Sequence, residues 1–226
     1  MKKGTRRAPR RRKSRVLIID DHAMVREGVG QIIQQAEDLT VCCSASTANE
    51  GLEKMRQLKP DLVLVDITLP DKNGIEFIKD ARAFRPDLLI LAMSMHDESL
   101  YAERVLRAGG RGYIRKQEGG DKLIEAIRRV LRGEIAVSDK VASRVLETFS
   151  GRKTMRSSLE GLSDRELEVF QQIGRGKTMK EIGESLHLSP KTIEVHRAHI
   201  KQKLRVKSAA ELVAYAARWS ETQGMT

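Results

Sequence analysis

Short apolar runs alternate with amphipathic stretches along residues 15–132 of this 226-residue chain. Each apolar run has the length of a buried β-strand, and the runs lie at 16–20, 40–44, 62–66, 88–94 and 112–115. The stretches between and after them have apolar residues at helical spacing, at 23–35, 47–58, 74–84, 98–108 and 120–132. Five β-α units in this order predict a doubly wound parallel sheet with helices on its faces.

A purely helical pattern begins after residue 158, with predicted helices at 164–173, 179–186, 190–204 and 209–219. Ser163 and Glu166 have the spacing of a capping box, and Ser189 places a capping hydroxyl before Pro190 at the first helical position. The short stretch 187–189 is the turn of a helix-turn-helix. The sequence therefore predicts a small all-α domain of four helices.

These patterns divide the chain into four parts. We predict a basic, disordered arm at 1–14, an α/β domain at 15–132, a polar linker at 133–158 and the helix-turn-helix domain at 159–226. Residues 1–15 contain nine Lys/Arg and no acid, and 191–207 contain six bases and one acid, within a net charge of +11. A basic stripe of this kind indicates nucleic-acid binding, although a solvated helix face has the same composition. The arm is either a phosphate clamp or a solubilising tail.

The composition is that of a globular protein, with 40% hydrophobic and 32% charged residues. No apolar stretch approaches the roughly 20 residues that a membrane span needs, and the basic start lacks a signal-peptide pattern. Cys42 and Cys43 are the only cysteines. Because side chains alternate between the faces of a strand, we expect a bridge between them to be strained. These features predict a cytoplasmic protein without a membrane partner.

Polar residues follow four of the five predicted strands. Asp20 and Asp21 follow the first, Asp66 ends the third, Ser94 ends the fourth and Lys116 follows the fifth. Because parallel strands share one carboxyl edge, we expect these side chains to meet in a crevice there. Three carboxylates, a hydroxyl and a lysine suit Mg²⁺-assisted capture of a phosphoryl group on an aspartate. Taken singly, the acidic pair also fits a helix N-cap, and the lysine fits an ordinary surface position.

With its loop 66–74 (DITLPDKNG) and Tyr113, the domain resembles the receiver domain of bacterial two-component response regulators over residues 15–132. The resemblance implies a flavodoxin-like fold with strand order 2-1-3-4-5 and phosphorylation of Asp66 by a sensor histidine kinase. It also implies a set of site residues. These are the Mg²⁺ ligands Asp20 (through water), Asp21, Asp66 and the backbone carbonyl of Thr68, and the phosphoryl-binding and switch residues Ser94, Tyr113 and Lys116.

Two positions depart from the common receiver pattern. Met95 follows the hydroxyl where a small residue is frequent, and Gln117 follows the lysine where proline is frequent. Met95 would restrict access to the site, and Gln117 removes the favourable case for a cis peptide bond. We therefore expect altered switching kinetics at an intact site.

The helical domain resembles the LuxR-type helix-turn-helix of the NarL/FixJ response regulators. Helical spacing puts Ile193, Ile200 and Leu204 on the core side of the third helix and its basic residues on the outer side. The resemblance implies that this outer face enters the major groove of double-stranded DNA. The implied DNA-binding residues are Lys191, Thr192, Glu194, Val195, Arg197, Ala198, Lys201, Lys203 and Arg205.

The sequence thus predicts a transcription regulator, not an enzyme, in which phosphorylation of Asp66 controls DNA binding through domain arrangement or dimerisation. The resemblance suggests dimer contacts by Leu212, Val213, Ala216 and Ala217, which equally fit the core of the small domain. His196 and His199 have the i, i+3 spacing of two zinc ligands, but a packing role is the simpler explanation.

One alternative function is a nonspecific DNA-compacting protein that uses the basic arm beside a passive receiver. A flavin-binding enzyme on the same fold is a second alternative. The acidic residues Asp20 and Asp21 stand where a cofactor phosphate would need glycine and backbone amides, which disfavours the enzyme.

Overall fold

The computed structural model describes residues 12–95, 98–143, 159 and 161–224. Its first part contains five β-α units and its last part four helices. The strands are β1 (Ser14–Ile19), β2 (Leu39–Ala45), β3 (Leu62–Asp66), β4 (Leu89–Ser94) and β5 (Gly112–Arg115). The helices of these units are α1 (Ala23–Gln35), α2 (Ala48–Leu58), α3 (Gly74–Phe84), α4 (Glu98–Arg107) and α5 (Gly120–Leu131). The last part contains α6 (Asp164–Gly174), α7 (Met179–Leu186), α8 (Pro190–Leu204) and α9 (Ala209–Gly224).

All five strands are parallel and form one sheet in the order β2-β1-β3-β4-β5. This confirms the predicted flavodoxin-like topology. Each strand except the edge strands is covered on both faces, so its apolar run is continuous instead of alternating. The carboxyl ends of β1 and β3 are neighbours at the centre of the sheet, and this edge holds the predicted site.

The sheet separates two apolar clusters. On one face, Leu17 and Val63 pack with residues of α2, α3 and α4, including the fully buried Phe77. On the other, Ile18 and Leu64 pack with residues of α1 and α5. Full burial of an aliphatic or aromatic side chain contributes roughly 1.5–3 kcal/mol each. Both faces of the sheet are therefore needed to hold the strand ends in place.

The domain boundaries differ slightly from those predicted. β1 begins at Ser14, inside the predicted arm, because the Ser14 N–H donates to Asp38 O at 2.8 Å and extends the pairing with β2. Residues 1–11 of the arm and 144–158 of the linker lie outside the described residues. None of the described helices is long and apolar enough to span a bilayer.

A β-bulge changes the expected arrangement of the cysteines. Val16 pairs with Val41 but Leu17 pairs with Cys43, so Cys42 is an extra residue on β2. Cys42 Sγ and Cys43 Sγ therefore lie 3.4 Å apart, instead of on opposite faces as predicted from regular alternation. Both are free thiols, and burial raises the pKa of Cys43 to about 12, which keeps it protonated.

The start of the linker is bound to the edge of the sheet. Ala136 forms a parallel bridge with Gly112, accepts from the Tyr113 N–H at 2.8 Å and donates to Arg111 O at 2.9 Å. The Ser138 N–H donates to a Glu98 carboxylate oxygen at 2.8 Å. This segment therefore covers the free edge of β5 beside Tyr113.

Local capping signals determine the helices of the C-terminal domain. Ser163 and Thr178 begin α6 and α7 with complete capping boxes, and the Ser189 side chain accepts from the backbone N–H of Thr192 at the start of α8. α7 and α8 have the predicted bounds, whereas α9 continues five residues beyond its predicted end at 219. Phe170 packs edge-on against Trp219 in the longer helix, with ring centroids 5.6 Å apart.

The first helix of the C-terminal domain packs against the N-terminal domain. Arg104 on α4 donates to Leu162 O and to Asp164 Oδ1, both at 2.9 Å. The Tyr101 hydroxyl, also on α4, donates to Gln171 Oε1 at 2.9 Å, and both residues are buried. The contact therefore adds specific polar side-chain pairs to an apolar cluster that is continuous from the N-terminal domain into the C-terminal domain.

Replacing Gly112 with alanine should destabilise the N-terminal domain. The new Cβ would lie 2.4 Å from Ala136 O, so the segment paired with β5 has to move. We expect a loss of roughly 1–3 kcal/mol in the free energy of unfolding, measured by urea denaturation with circular dichroism. Gly28→Ala is the control, because no atom lies within 4 Å of its added Cβ, and a gain of about 0.5–1 kcal/mol is expected. Equal stability of the two variants would contradict this account.

Candidate phosphorylation site and nucleic-acid interface

Asp66 and Lys116 form the centre of the site at the carboxyl edge of the sheet. Asp66 is buried at the end of β3, and Asp20 is buried just after β1. Lys116 Nζ lies 2.6 Å from Asp66 Oδ2 and 2.7 Å from Asp20 Oδ2. The Lys116 N–H donates to Ser94 O at 2.8 Å, which fixes the backbone after β5. The structure thus brings together the residues that the sequence placed on four different strands.

The acidic side chains fit a divalent cation. Asp20, Asp21, His22 and Asp66 each offer one ligand atom, and these atoms lie within 4.8 Å of one another. Asp20 Oδ2 lies 2.7 Å from Lys116 Nζ, and Asp21 Oδ1 lies 2.6 Å from His22 Nδ1. Both oxygen atoms are buried, and neither contact has the geometry of a hydrogen bond. Hard carboxylate oxygen atoms of this kind suit Mg²⁺. The imidazole of His22 was not part of the predicted ligand set.

Burial changes the protonation of the central pair. It raises the pKa of Asp66 to about 7, against the opposing charge of Lys116 and with a smaller contribution from the Asp20 carboxylate. Burial alone would lower the pKa of Lys116, yet the two carboxylates raise it above its usual value. The lysine therefore stays cationic. Asp66 requires a second positive partner, in addition to Lys116, to be fully ionised near neutral pH.

The loop after Asp66 is held at three points. Asp71 accepts from the N–H groups of Ala48 and Asn49, each at 2.9 Å, and so caps α2. The side chain of Asn73 caps α3 by accepting from the Ile75 N–H at 2.7 Å. These bonds fix the loop that contains Thr68, whose backbone N–H donates to the Asp66 carboxylate and favours its charged form.

Glycine is required where α3 begins. A Cβ on Gly74 would lie 2.1 Å from Asp66 O, because the start of the helix passes directly over the backbone of Asp66. The Gly74 N–H donates to Ile67 O at 2.7 Å. Gly74 was part of the loop recognised in the sequence, but its steric role appears only in the folded chain.

The predicted switch residues lie beside this site. Ser94 is buried at the end of β4, and Tyr113 is buried on β5 next to the bound linker segment. Met95 is 59% exposed, so it does not close the site in this conformation. Gln117 is exposed, and the described residues contain no cis peptide bond.

The third helix of the C-terminal domain has the predicted two-sided character. Ile193 and Ile200 are buried, whereas Val195 is 47% exposed. Most of the other proposed DNA-binding residues are exposed or partly exposed, and a shallow groove separates α8 from Ala209. The groove is lined by Glu194, Arg197, Ala198, Lys201 and Ala209. The outer face of α8 is thus open in the conformation in which α6 packs on the N-terminal domain.

Some side chains on α8 have structural partners that the sequence did not reveal. Lys203 Nζ lies 2.6 Å from Glu166 Oε2, the same carboxylate group that caps α6. Arg205 ends the helix in the left-handed conformation at φ 57°. Leu204, predicted as core, is only partly buried. Lys203 therefore has an intradomain role in addition to its predicted role toward phosphate.

The candidate dimer residues on α9 divide into two kinds. Leu212 and Ala216 are fully buried in the domain core and offer no surface to a partner. Val213 is 43% exposed and Ala217 is partly exposed. The prediction of dimer contacts is therefore wrong for Leu212 and Ala216, since helical spacing directs them toward α6.

A zinc site at His196 and His199 receives no support from the geometry. Within the described ranges, the only group of three or more candidate metal ligands is the one around Asp66. Burial lowers the pKa of His196, which favours the neutral imidazole expected of a packed histidine.

Comparison with known proteins places both domains in described families. Residues 16–128 match the response regulator receiver domain, and residues 160–216 match the bacterial regulatory proteins of the luxR family. The oxygen regulatory protein NreC of Staphylococcus carnosus is 36% identical over 209 residues, which cover 89% of this chain and 96% of that protein.

Solved structures give the same result. A two-component response regulator of the LuxR family from Aurantimonas sp. is 33% identical, with a TM-score of 0.57 over 61% of this chain and 99% of that one. RcsB of Salmonella enterica serovar Typhimurium, bound to promoter rprA in the presence of the phosphomimetic BeF₃⁻, is 26% identical. It has a TM-score of 0.61 over 91% of this chain and 98% of that one.

Binding of Mg²⁺ should depend on pH because the metal has to displace a proton from Asp66. With a metal-free pKa of about 7, affinity should rise from pH 6 to pH 8 and then level off. The expected slope is up to about tenfold per pH unit below pH 7. Isothermal titration calorimetry in buffers of different ionisation enthalpy measures both the affinity and the released proton.

Asp66→Asn is the matched control for this titration. It removes the titrating group but keeps Asp20 and Asp21, so weaker binding without proton release is expected. Equal Mg²⁺ affinity of the wild-type chain at pH 6 and pH 8 would show that Asp66 is not protonated in the metal-free site.

Proposed function

The chain belongs to the LuxR-family response regulators, and we propose how this phosphorylation-dependent DNA-binding regulator of transcription uses its own residues. The observation that carries the proposal is the contact of Lys116 Nζ with Asp66 and Asp20, beside the carboxylate of Asp21. The arrangement has a nucleophile, a fixed cation and oxygen ligands for a second cation. It suits acceptance of a phosphoryl group on Asp66.

In the proposed reaction, an oxygen atom of the Asp66 carboxylate attacks the phosphorus of a phosphohistidine on a sensor histidine kinase. The new O–P bond forms as the N–P bond to the histidine breaks, and the imidazole leaves with the electron pair. Asp20 through water, Asp21, Asp66 and the Thr68 carbonyl would hold Mg²⁺, which would supply positive charge beside the transferred group. Lys116 supplies the second positive charge, which is effective because the site is largely shielded from water.

Ser94 and Tyr113 are the proposed switch between the site and the rest of the chain. Ser94 turns its hydroxyl toward a phosphoryl oxygen, and Tyr113 moves inward behind it. The Tyr113 N–H donates to Ala136 O in the linker at 2.8 Å. A movement of β5 at this position therefore acts directly on the segment that leads to the DNA-binding domain.

DNA is read by the outer face of α8. The helix N-terminus presents Lys191, Glu194, Val195 and Ala198 to base edges, and Glu194 suits the amino group of a cytosine. Further polar and phosphate contacts are made by Thr192, Arg197, Lys201, Lys203 and Arg205. The RcsB structure bound to promoter DNA with a phosphomimetic supports this use of the shared fold.

Dimerisation is proposed to join two copies on neighbouring half-sites, with Val213 and Ala217 as the surface-accessible candidates on α9. The basic arm would add sequence-independent phosphate contacts, with a solubilising tail as the alternative. A cytoplasmic location suits a histidine kinase donor, a DNA target and a pair of free thiols.

Phosphoryl acceptance is tested by treating the chain with acetyl phosphate and with beryllofluoride. Incorporation should require Mg²⁺ and occur only at Asp66, as located by mass spectrometry of peptides. Asp66→Asn should lose it entirely. Glu50→Gln is a control, because Glu50 is a partly exposed carboxylate on α2 whose bonds are to Ser46 and Lys54. Undiminished phosphorylation of Asp66→Asn would refute the proposed acceptor.

Sequence reading by α8 is tested with Glu194→Gln and Val195→Ala. Each should change the preferred sequence in a selection from randomised DNA and cost roughly 1–3 kcal/mol on the wild-type operator, measured by fluorescence anisotropy. Lys180→Ala is the control, since Lys180 is a highly exposed base on α7. It should leave sequence preference unchanged.

The same selection separates the proposal from nonspecific DNA compaction. A regulator should prefer its operator by about 10³ or more over unrelated DNA. Equal affinity for all sequences, unaffected by changes at Glu194 and Val195, would favour compaction and refute base reading by α8.

A further inference from the structure

Glu168, on the first helix of the DNA-binding domain, is a fully buried carboxylate in contact with the loop that follows Asp66. Its Oε1 accepts from Asn73 Nδ2 at 2.9 Å, across the domain boundary. Its Oε2 accepts from the Arg165 guanidinium at 2.7 Å. Both oxygen atoms accept hydrogen bonds, which favour the ionised side chain, whereas burial favours the neutral one.

Asn73 joins this carboxylate rigidly to the acceptor loop. Its Oδ1 accepts from the Ile75 N–H at 2.7 Å and caps α3, so its Nδ2 has a fixed direction toward Glu168. Gly74 comes next and passes over the Asp66 carbonyl. Glu168 is thus hydrogen-bonded to the residue that precedes the contact of Gly74 with the Asp66 backbone.

The two carboxylates affect each other electrostatically. Burial raises the pKa of Glu168 to about 7 against the opposing charge of Arg165, and the Asp66 carboxylate contributes to the increase. Phosphorylation would replace the single negative charge of the Asp66 carboxylate with the roughly −1.5 to −2 of an acyl phosphate, a net addition of up to about one negative charge. Charges in a buried site are weakly screened, so the added charge acts on Glu168.

We propose that Glu168 is a positioning residue for the phosphoryl-acceptor loop, and that its buried charge opposes phosphorylation of Asp66 while the two domains are packed together. The proposal rests on the assignment of Asp66 as the acceptor. The coupling is reciprocal. If packing of α6 weakens phosphoryl binding by a given factor, a phosphoryl group on Asp66 weakens the packing of α6 by the same factor.

Steric covering of the recognition helix does not account for this coupling. The outer face of α8 is exposed in the packed conformation, with Val195 at 47% exposure. The contact is made instead by α6, by Leu162 just before it and by His187 after α7, whose Nε2 lies 3.4 Å from Asp21 Oδ2. Glu168 on α6 is the fully buried carboxylate at this contact. The phosphorylation site thus senses the DNA-binding domain through Glu168 and Asn73.

The sign of the effect on two ligands distinguishes a charge from a structural role. Removing a negative charge should strengthen the binding of anionic beryllofluoride at saturating Mg²⁺ and weaken the binding of Mg²⁺ alone. A loop that is merely misplaced should bind both ligands less well. Both titrations use the full chain, with Mg²⁺ alone as one probe and Mg²⁺ with beryllofluoride as the other.

Glu168→Gln keeps the size of the side chain and an oxygen acceptor for Asn73. We expect beryllofluoride binding tighter by at least about threefold and Mg²⁺ binding weaker by a similar factor. Glu184→Gln is the matched control, because it removes one charge from an exposed carboxylate on α7 of the same domain. It should change neither affinity.

Asn73→Ser provides a second variant if Glu168→Gln folds poorly. Serine still caps α3 but lacks the amide donor, so Glu168 loses a partner and the packed state is destabilised. Beryllofluoride should bind more tightly to this variant, and hydrogen exchange of α6 amides should be faster than in the wild-type chain. Unchanged beryllofluoride affinity in both variants, or weaker binding of both ligands to Glu168→Gln, would overturn the proposal.

The controls separate this inference from the assignment of the acceptor. If the wild-type chain and Asp66→Asn bind beryllofluoride equally, the acceptor assignment fails. If only the wild-type chain binds it and Glu168→Gln matches the wild type in both titrations, the inference about Glu168 alone fails.

Discussion

The contact of Lys116 with two buried carboxylates is the interaction on which the rest of the site depends. A parallel sheet places the ends of β1, β3 and β5 at one edge, and this chain puts Asp20, Asp66 and Lys116 there. Like charges cannot be buried together without a counter-charge, and one ammonium against three carboxylates, including Asp21, leaves two negative charges when all are ionised. A divalent cation would balance that excess, and an acyl phosphate on Asp66 would add up to about one negative charge again, so each step of the proposed reaction changes the electrostatic balance of the edge.

The packing of the DNA-binding domain follows the same rule. Polar groups at the domain boundary are buried in two specific pairs, Arg104 with Asp164 and Asn73 with Glu168. Buried ion pairs contribute little net stability because desolvation offsets their attraction, but removing or overloading one partner is costly. A contact of this kind is easily shifted by a new charge on one side. The apolar cluster that continues across the boundary carries no charge, so the response to phosphorylation depends on these polar pairs.

Local sequence signals predicted those features that depend on neighbouring residues. The bounds of α7 and α8 followed from helix caps, and the meeting of Asp66 with Lys116 followed from the geometry of parallel sheets. The strand order followed from the resemblance to receiver domains. Contacts set by distant parts of the chain did not. The bulge at Cys42 depends on register with β1, and the partners of Lys203 and Glu168 come from other elements. Helical periodicity shows that one face of α9 is apolar, but it does not show whether that face meets α6 or another copy.

The open outer face of α8 constrains how phosphorylation acts on DNA binding. Since Val195 is accessible while α6 is packed, a single domain is able to meet base edges without separating from the receiver. What packing does fix is the direction in which that helix points relative to the receiver. Two half-sites about 34 Å apart require two recognition helices in one symmetric arrangement. Under the proposed dimerisation, release of α6 would control whether a pair of copies reaches that arrangement, and such regulation by domain geometry is compatible with contacts that leave the reading face of α8 open.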